Sequence, residues 1–424
     1  VSRETAQQQG TKPMTTATAN SATRSNAEVV EAGATSTILP APVDRVAKIA
    51  ALLTEAGAKN EALGRLTPEV VDALHAQRLY RMLLPKAYGG DEVTPPEFFK
   101  AMVALATCDA STAWCVGQQN GCAMSAAYLP PEVSQEIWGN DPRAALAWGP
   151  PLKSEVVEAE GGYRISGRWS FASGVRQATW IGLQCSLPGA ANGVTRTSHG
   201  MPSMTGIVPA SKISIQPAWD VIGLRATSSD GWTAQDMFVP EAYCVRRDWP
   251  GSRRVTTPLY HFPSMTLFAI GFSGVAIGTG RAMVDAFIAL ATNGKTQRGV
   301  GLALRDNHAV QMQVAEAEAR LRSAYQFVLS TAERVWQEVV ETGELTHHQR
   351  LDLRLATTHA LHEAKTAADI AWDAAGSTAI AREGAFERRF RDIHTVTQQV
   401  QGRKTNLQVV GAYLLGHEPD MAWA

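Results

Sequence analysis

Residues 162–174 end in Phe171-Ala172-Ser173-Gly174, a large aromatic followed by three small residues. Small side chains let a flat ligand approach the backbone, and a hydroxyl at that place can bond the ligand's edge. The same ending also suits a plain strand terminus. The stretch before it, with Tyr163 and Ile165 alternating, then Gly167, then Trp169 and Phe171 alternating, reads as two short strands joined by a tight turn. Cys108, Cys115, Cys122, Cys185 and Cys244 are odd in number and lack CxxC or histidine spacing, which argues against both a structural metal and a disulfide framework. Three of them sit seven apart and would share one face of a helix.

The elements that must position this stretch follow from the apolar period. Residues 1–40 are rich in Thr, Ser, Ala and Gln with few large apolar side chains, so a flexible arm is expected, without a secretory signal pattern. Over 41–143 apolar residues recur at three and four, predicting a helical domain; Thr67-Pro68-Glu69, Thr94-Pro95-Pro96-Glu97 and Asp109-Ala110-Ser111 are helix starts. Over 144–250 the period becomes two, predicting a compact antiparallel β domain. Residues 251–424 return to the helical period in four long segments, 262–293, 307–342, 346–375 and 392–415, suited to a bundle. No apolar run is read as reaching the ~20 residues of a spanning helix. A formal net charge of -1 over 424 residues argues against nucleic acid or an anionic membrane as the main partner. A cytoplasmic protein is expected.

Helices, then strands, then a helical bundle resembles the acyl-CoA dehydrogenase fold. The motifs carrying the resemblance are Leu84-Pro-Lys-Ala-Tyr-Gly-Gly90, the stretch ending at Gly174, Gly223-Leu-Arg-Ala-Thr-Ser-Ser229, Phe238-Val-Pro240 and Glu387-Arg-Arg-Phe-Arg-Asp392. The fold class implied is α+β, with an N-terminal helical domain, a central antiparallel β-barrel domain and a C-terminal four-helix bundle, assembled as a homotetramer with a flavin between the β domain and the bundle. Dehydrogenation needs a carboxylate facing the flavin. The two places where the family carries it fall at about Val400 and near Thr266, and neither holds one. Asp392-Ile393-His394-Thr395, Ser111-Thr-Ala-Trp114 and Glu136-Ile-Trp138 instead resemble the flavin-dependent monooxygenase branch. It contains the oxygenase components of p-hydroxyphenylacetate 3-hydroxylase, the secosteroid hydroxylase and dibenzothiophene monooxygenase.

What that resemblance implies is the oxygenase component of a two-component system. Diffusible reduced FMN or FAD arrives from a separate flavin reductase, O2 reacts through a C4a-hydroperoxyflavin, and a small aromatic or heteroaromatic substrate is oxygenated. It assigns His394 as the proton-exchanging group and Ser173 as the hydroxyl beside flavin N5. Flavin contacts fall to Trp148, Gly149, Phe171 and Ala172, with Lys295 and Arg298 near the phosphate and Gly376 and Ser377 reaching a neighbouring subunit's flavin. Gln118, Gln119, Asn120, Cys122, Trp148 and Gln399 would line the substrate pocket. Histidines that phenol hydroxylases of the branch carry are replaced here by Cys122 or Met124 and by Gln399, which leaves a neutral heteroaromatic, an indole-like ring, a sulfur or an amine as the substrate. Two other readings stand beside this one: an acyl-CoA dehydrogenase with a relocated base, and a non-catalytic binding protein of the same fold.

Overall fold

The computed structural model describes residues 39–186, 203–247, 250–296, 299, 301–419 and 421. The expected N-terminal arm lies almost entirely outside the described residues, as does Arg298. The first helices are α1 (Pro42–Ala47), α2 (Ala50–Leu63), α3 (Pro68–Ala76), α4 (Pro95–Cys108), α5 (Ala110–Ala123) and α6 (Pro131–Ser134). Their starts follow the side-chain chemistry of the sequence. Thr67 Oγ1 accepts from Val70 N, and Thr94 and Glu97 close a reciprocal capping box around Pro95 and Pro96. Asp109 leaves helical geometry at φ −156° and its carboxylate accepts from Thr112 N. That break separates Cys108 from Cys115 and Cys122, so the three thiols do not share one helical face.

Among the described residues the β region forms two four-stranded sheets, and the closed antiparallel barrel expected is not seen there. The strands are β1 (Leu146–Trp148), β2 (Pro151–Ala159), β3 (Gly162–Trp169), β4 (Trp180–Ser186), β5 (Ser203–Pro209), β6 (Ser214–Gln216), β7 (Gly231–Pro240) and β8 (Cys244–Val245). One sheet runs β1-β4-β5-β8 and the other β2-β3-β7-β6, and among the described residues neither closes. The β1–β4 pair is parallel. Ile165, Trp169, Ile181, Leu183 and Trp232 fill the core of this region, with Trp169 and Trp232 stacked at 5.8 Å.

Gly167 does not turn the chain. β3 runs unbroken through it, and the hairpin turn lies earlier, where Gly161 takes φ 74° between β2 and β3. The period of two never lapses between Ile165 and Trp169, so both face the same core. Gly167 is required for another reason: a Cβ there would lie 2.6 Å from Lys153 O, beside a register shift against β7.

Three long helices follow: α7 (Ser264–Thr292), α8 (His308–Thr342) and α9 (His347–Ala375). The fourth expected segment is two ten-residue helices, α10 (Glu387–Val396) and α11 (Thr405–Leu414). Between them Gln399 is extended and its amide caps Gln401 N at 2.7 Å. α7 is the central rod. It is long and apolar enough to cross a membrane by length and composition, contrary to the sequence reading, yet 94% of its most apolar window is buried. Gly274 and Gly278 let it press onto the backbone of α4, and Gly280 onto Ala364 of α9.

Candidate active site

The corner after β3 is held by the loop before β7. Gly174 N donates to Thr227 O at 2.8 Å and Ala172 N to Asp230 O at 3.3 Å, while Asp230 pairs with Arg176 at 2.7 Å. Phe171 sits at φ 61°, a backbone that costs a non-glycine residue on the order of 1 kcal/mol, and it is 58% exposed with its ring edge-on to Trp219. Ala172 is fully buried behind it. Gly149, just after β1, has no room for a Cβ because Ser170 O occupies that space. Ser170 Oγ itself is buried without a protein partner.

Ser173 Oγ receives the indole N–H of Trp114 at 2.9 Å and lies 2.7 Å from Ser229 Oγ, which lies 2.7 Å from Thr227 Oγ1. Trp114 is fixed by stacking on Phe272 of α7 at 4.0 Å, and Phe272 stacks on Phe268 at 5.7 Å. Gly121 admits the Phe268 ring against α5. The sequence places Ser173 and Trp114 in separate motifs; the fold joins them across 59 residues.

On the next face of α5, Gln118 Nε2 donates to Cys122 Sγ at 3.8 Å. Burial pushes the Cys122 thiol up to about 12, and the backbone of Trp148 and the charge of Arg247 oppose that rise. The Arg247 guanidinium lies 4.0 Å from the Trp148 ring centroid. Gln118, Cys122 and Trp148 are therefore brought together, with Arg247 as a fourth member the sequence reading missed. Asn120 points elsewhere: its Oδ1 accepts from Leu83 N and its Nδ2 donates to Leu79 O and Val116 O, all inside the helical region. Gln119 donates to Gly174 O at 3.2 Å, and its Oε1 is buried without a partner.

His394 lies on α10. Its Nδ1 donates to Phe390 O at 2.8 Å, because a carbonyl only accepts, and its Nε2 stands 3.3 Å from Asp369 Oδ1 on α9. Asp369 also takes Lys365 Nζ at 2.5 Å. The His394 ring rests 4.1 Å from that of Phe390, itself stacked on Trp372. No described hydrogen bond or ion pair joins His394 to Ser173; α7 packs against the helices that carry His394 and Trp114. Gln399 keeps a buried Nε2 without a partner, as does Thr266 Oγ1. Asp369 had no local sequence signal, being 25 residues from His394 and known only through the α9–α10 contact.

Asp392, two residues earlier, faces away from His394 and accepts from Leu224 N at 2.6 Å. Full burial, together with neighbouring Asp109 and Glu61, pushes its carboxyl up to about 7 against the pull of Leu224 N and Arg388. The folded value lies above the ordinary one, so the folded chain holds a proton that the unfolded chain releases near pH 4. This group's contribution is complete at low pH and is lost as pH rises through about 7. Asp392→Asn keeps the acceptor and removes the titration. Urea unfolding at pH 5 and pH 8 should show the variant gaining on wild type as pH rises, by on the order of 3 kcal/mol at most; an equal difference at both pH values overturns this.

Lys295 is exposed and its carbonyl accepts from Leu304 N, and Gly376 and Ser377 are exposed at the end of α9. A cleft of about 1040 Å3 opens elsewhere, between α2, the loop before β7 and α10. Its charges are largely paired: Arg391 with Glu61 and Glu387, each at 2.7 Å, and Arg388 with Asp109. It includes neither Ser173 nor His394.

Residues 270–402 match the acyl-CoA dehydrogenase C-terminal domain. The indole-3-acetate monooxygenase of Pseudomonas putida is 32% identical over 84% of this chain and 88% of its own length. The oxygenase component of FADH(2)-dependent resorcinol hydroxylase from Rhizobium sp. is 26% identical over 89% of this chain and 94% of its own. Among solved structures, XiaF from Streptomyces sp., in complex with FADH2 and glycerol, superposes with a TM-score of 0.82 at 23% identity, covering 89% of this chain and 96% of that one.

Proposed function

The chain belongs to the flavin-dependent monooxygenases built on the acyl-CoA dehydrogenase fold, and we propose that it is an oxygenase component acting on a small heteroaromatic ring of the indole class. The observation that carries this reading is the Ser173 hydroxyl, set by Trp114 and Ser229 at the end of β3, together with Val400 and Thr266 standing where a dehydrogenase would need a carboxylate. A flavin ring suits this corner: Phe171 offers an exposed apolar face, Gly149 keeps the neighbouring backbone close, and Ser170 Oγ is a buried polar atom still without a partner.

The chemistry supplied by a bound reduced flavin is two-electron reduction of O2, one oxygen passing to the substrate and the other leaving as water. Ser173 would hold the ring edge and Phe171 its face, with Ala172 packed behind Phe171 and Trp148 and Gly149 flanking the ring. His394 exchanges a proton at Nε2, with Nδ1–H committed to Phe390 O. Gln118, Cys122, Trp148 and the Gln399 amide form the substrate side, which is mostly apolar with a few amides and excludes water. The lack of a second histidine there favours a ring that needs no deprotonation. Lys295 serves the flavin phosphate. Reduced flavin comes from a separate reductase, in keeping with the printed name of the resorcinol hydroxylase relative. Five unpaired cysteines suit a reducing, cytoplasmic compartment.

The deciding experiment mixes the protein with reduced FMN or FAD, 18O2 and indole, and reads the product by mass spectrometry. One labelled oxygen atom per product is expected. Bleaching of bound oxidised flavin by an acyl-CoA, with no labelled product, overturns the reading. Ser173→Ala removes one hydrogen bond worth about 0.5–1.5 kcal/mol and should raise H2O2 release relative to product roughly three- to tenfold; an unchanged ratio counts against its role.

The assembly proposed is a homotetramer in which Gly376 and Ser377 reach a neighbour's flavin. Both residues are exposed, and Ile380 beside them is 66% exposed. Light scattering at micromolar concentration should give four times the chain mass, and a monomer there sinks the shared site.

A further inference from the structure

The hydroxyls behind Ser173 form a chain with only one consistent direction. Thr227 Oγ1 lies 2.8 Å from Leu224 O, and since a carbonyl has no proton to give, the proton on that bond is Thr227's only one. Ser229 Oγ, 2.7 Å from Thr227 Oγ1, must then be the donor on the next bond. Ser173 Oγ, 2.7 Å from Ser229 Oγ, must in turn donate to Ser229. The indole N–H of Trp114, which can only donate, fills one of the two acceptor positions on Ser173. Ser173 has thus given its proton and accepted one, and what it has left is a single lone pair.

The chain cannot reverse cheaply. Thr227 is fully buried and Ser229 is 4% exposed, so water does not stand in for a missing proton at either of them. Reversal would leave Thr227 Oγ1 and Leu224 O facing each other at 2.8 Å with no proton between them. Leu224 is itself fixed, at φ 52° with its N–H on Asp392 at 2.6 Å.

We infer that Ser173 offers a ligand only an acceptor, so that the site selects by redox state: it takes the reduced flavin edge, whose N5 carries hydrogen, and gives the oxidised edge, whose N5 is a bare acceptor, nothing to bond. This rests on the flavin placement proposed above. Thr227 and Ser229 are positioning residues that set the direction of a proton they never pass to the ligand.

Breaking the chain at Thr227 or Ser229 should relax the selection. In Thr227→Val, Ser229 is free to donate to Ser173, and Ser173 to the ligand. In Ser229→Ala, Ser173 loses its acceptor and its proton is freed directly. The full-length protein is titrated under argon with FMN and with FAD, each oxidised and dithionite-reduced, and the ratio of oxidised to reduced Kd is compared. Wild type and Thr227→Ser should both favour the reduced form. Thr227→Val and Ser229→Ala should each lower the ratio about three- to tenfold, through tighter binding of oxidised flavin, the equivalent of one neutral hydrogen bond. A wild type that binds neither flavin removes the proposed function itself. A wild type without redox preference, or variants that keep the wild-type ratio, including by weakening both forms equally, overturns the proton-direction inference alone. Should Thr227→Val fail to fold by circular dichroism, Ser229→Ala, which empties less volume, decides.

Discussion

His394→Ala is expected to lower oxygen transfer about 10²-fold, the low end for a general acid–base group, while reduced flavin still binds and H2O2 accumulates in place of product. The geometry says which atom is lost. Nδ1–H is committed to Phe390 O one turn back on the same helix, so Nε2 alone is left to exchange a proton. Asp369 Oδ1 stands 3.3 Å from that nitrogen as a nearby charge without a hydrogen bond to it, and Lys365 at 2.5 Å holds Asp369 in place from one turn earlier on α9. His394→Gln can keep a hydrogen-bond donor but cannot exchange a proton near neutral pH, so it should resemble alanine in product formation. If His394→Gln restores most of the rate, positioning and not proton exchange is the role. The measurement is product against H2O2 after one addition of reduced flavin, with flavin binding read separately.

Arg388→Met should cost about 3–5 kcal/mol of stability, the range for a broken buried ion pair. Arg388 crosses from α10 to Asp109, the residue that caps α5, and Asp109 is 1% exposed at its side chain. Without the guanidinium, Asp109 keeps Thr112 N and Oγ1 but loses its counter-charge. Asp392, also buried, feels the same loss, because Arg388 is one of the groups that lower its carboxyl. The variant should therefore hold its Asp392 proton to higher pH, and adding Asp392→Asn should recover part of the lost stability at pH 8. Urea unfolding of the two single variants and the double variant gives the coupling directly. A loss under 1 kcal/mol would mean that water replaces the guanidinium.

What was legible in the sequence was chiefly local. The capping residues Thr67, Thr94 and Asp109 sit within three residues of the amides they bond, and the apolar period changes where helix gives way to strand. Motif order was enough to place the chain in its fold and branch. What escaped were contacts between distant segments. The parallel β1–β4 pair has no sequence mark, so the sheets read as a single antiparallel barrel. Gly167 looked like a turn because a glycine between two aromatic alternations suits either place, and only the crossing of Lys153 O explains it. The last helix looked continuous since Gln398, Gln399 and Gln401 are good helix formers, and the break depends on a side-chain cap and on Gly402 lying against Thr397 O. Gly57 inside α2 gave no sign that it makes room for Arg388, more than 300 residues away.

The burial of α7 has a consequence for how the chain is made. α4 leaves the ribosome some 150 residues before α7, which takes roughly 10–30 s at usual synthesis rates, and α9 follows α7 only after another long helix. Throughout that interval the face of α4 shaped for Gly274 and Gly278 has nothing to cover it, and α7 itself emerges apolar on nearly every side before α9 exists. A shortened chain ending before residue 347 should therefore aggregate or stay bound to a chaperone, and expression of the full protein should respond to temperature and chaperone supply more than its near-neutral, mixed-charge surface would suggest.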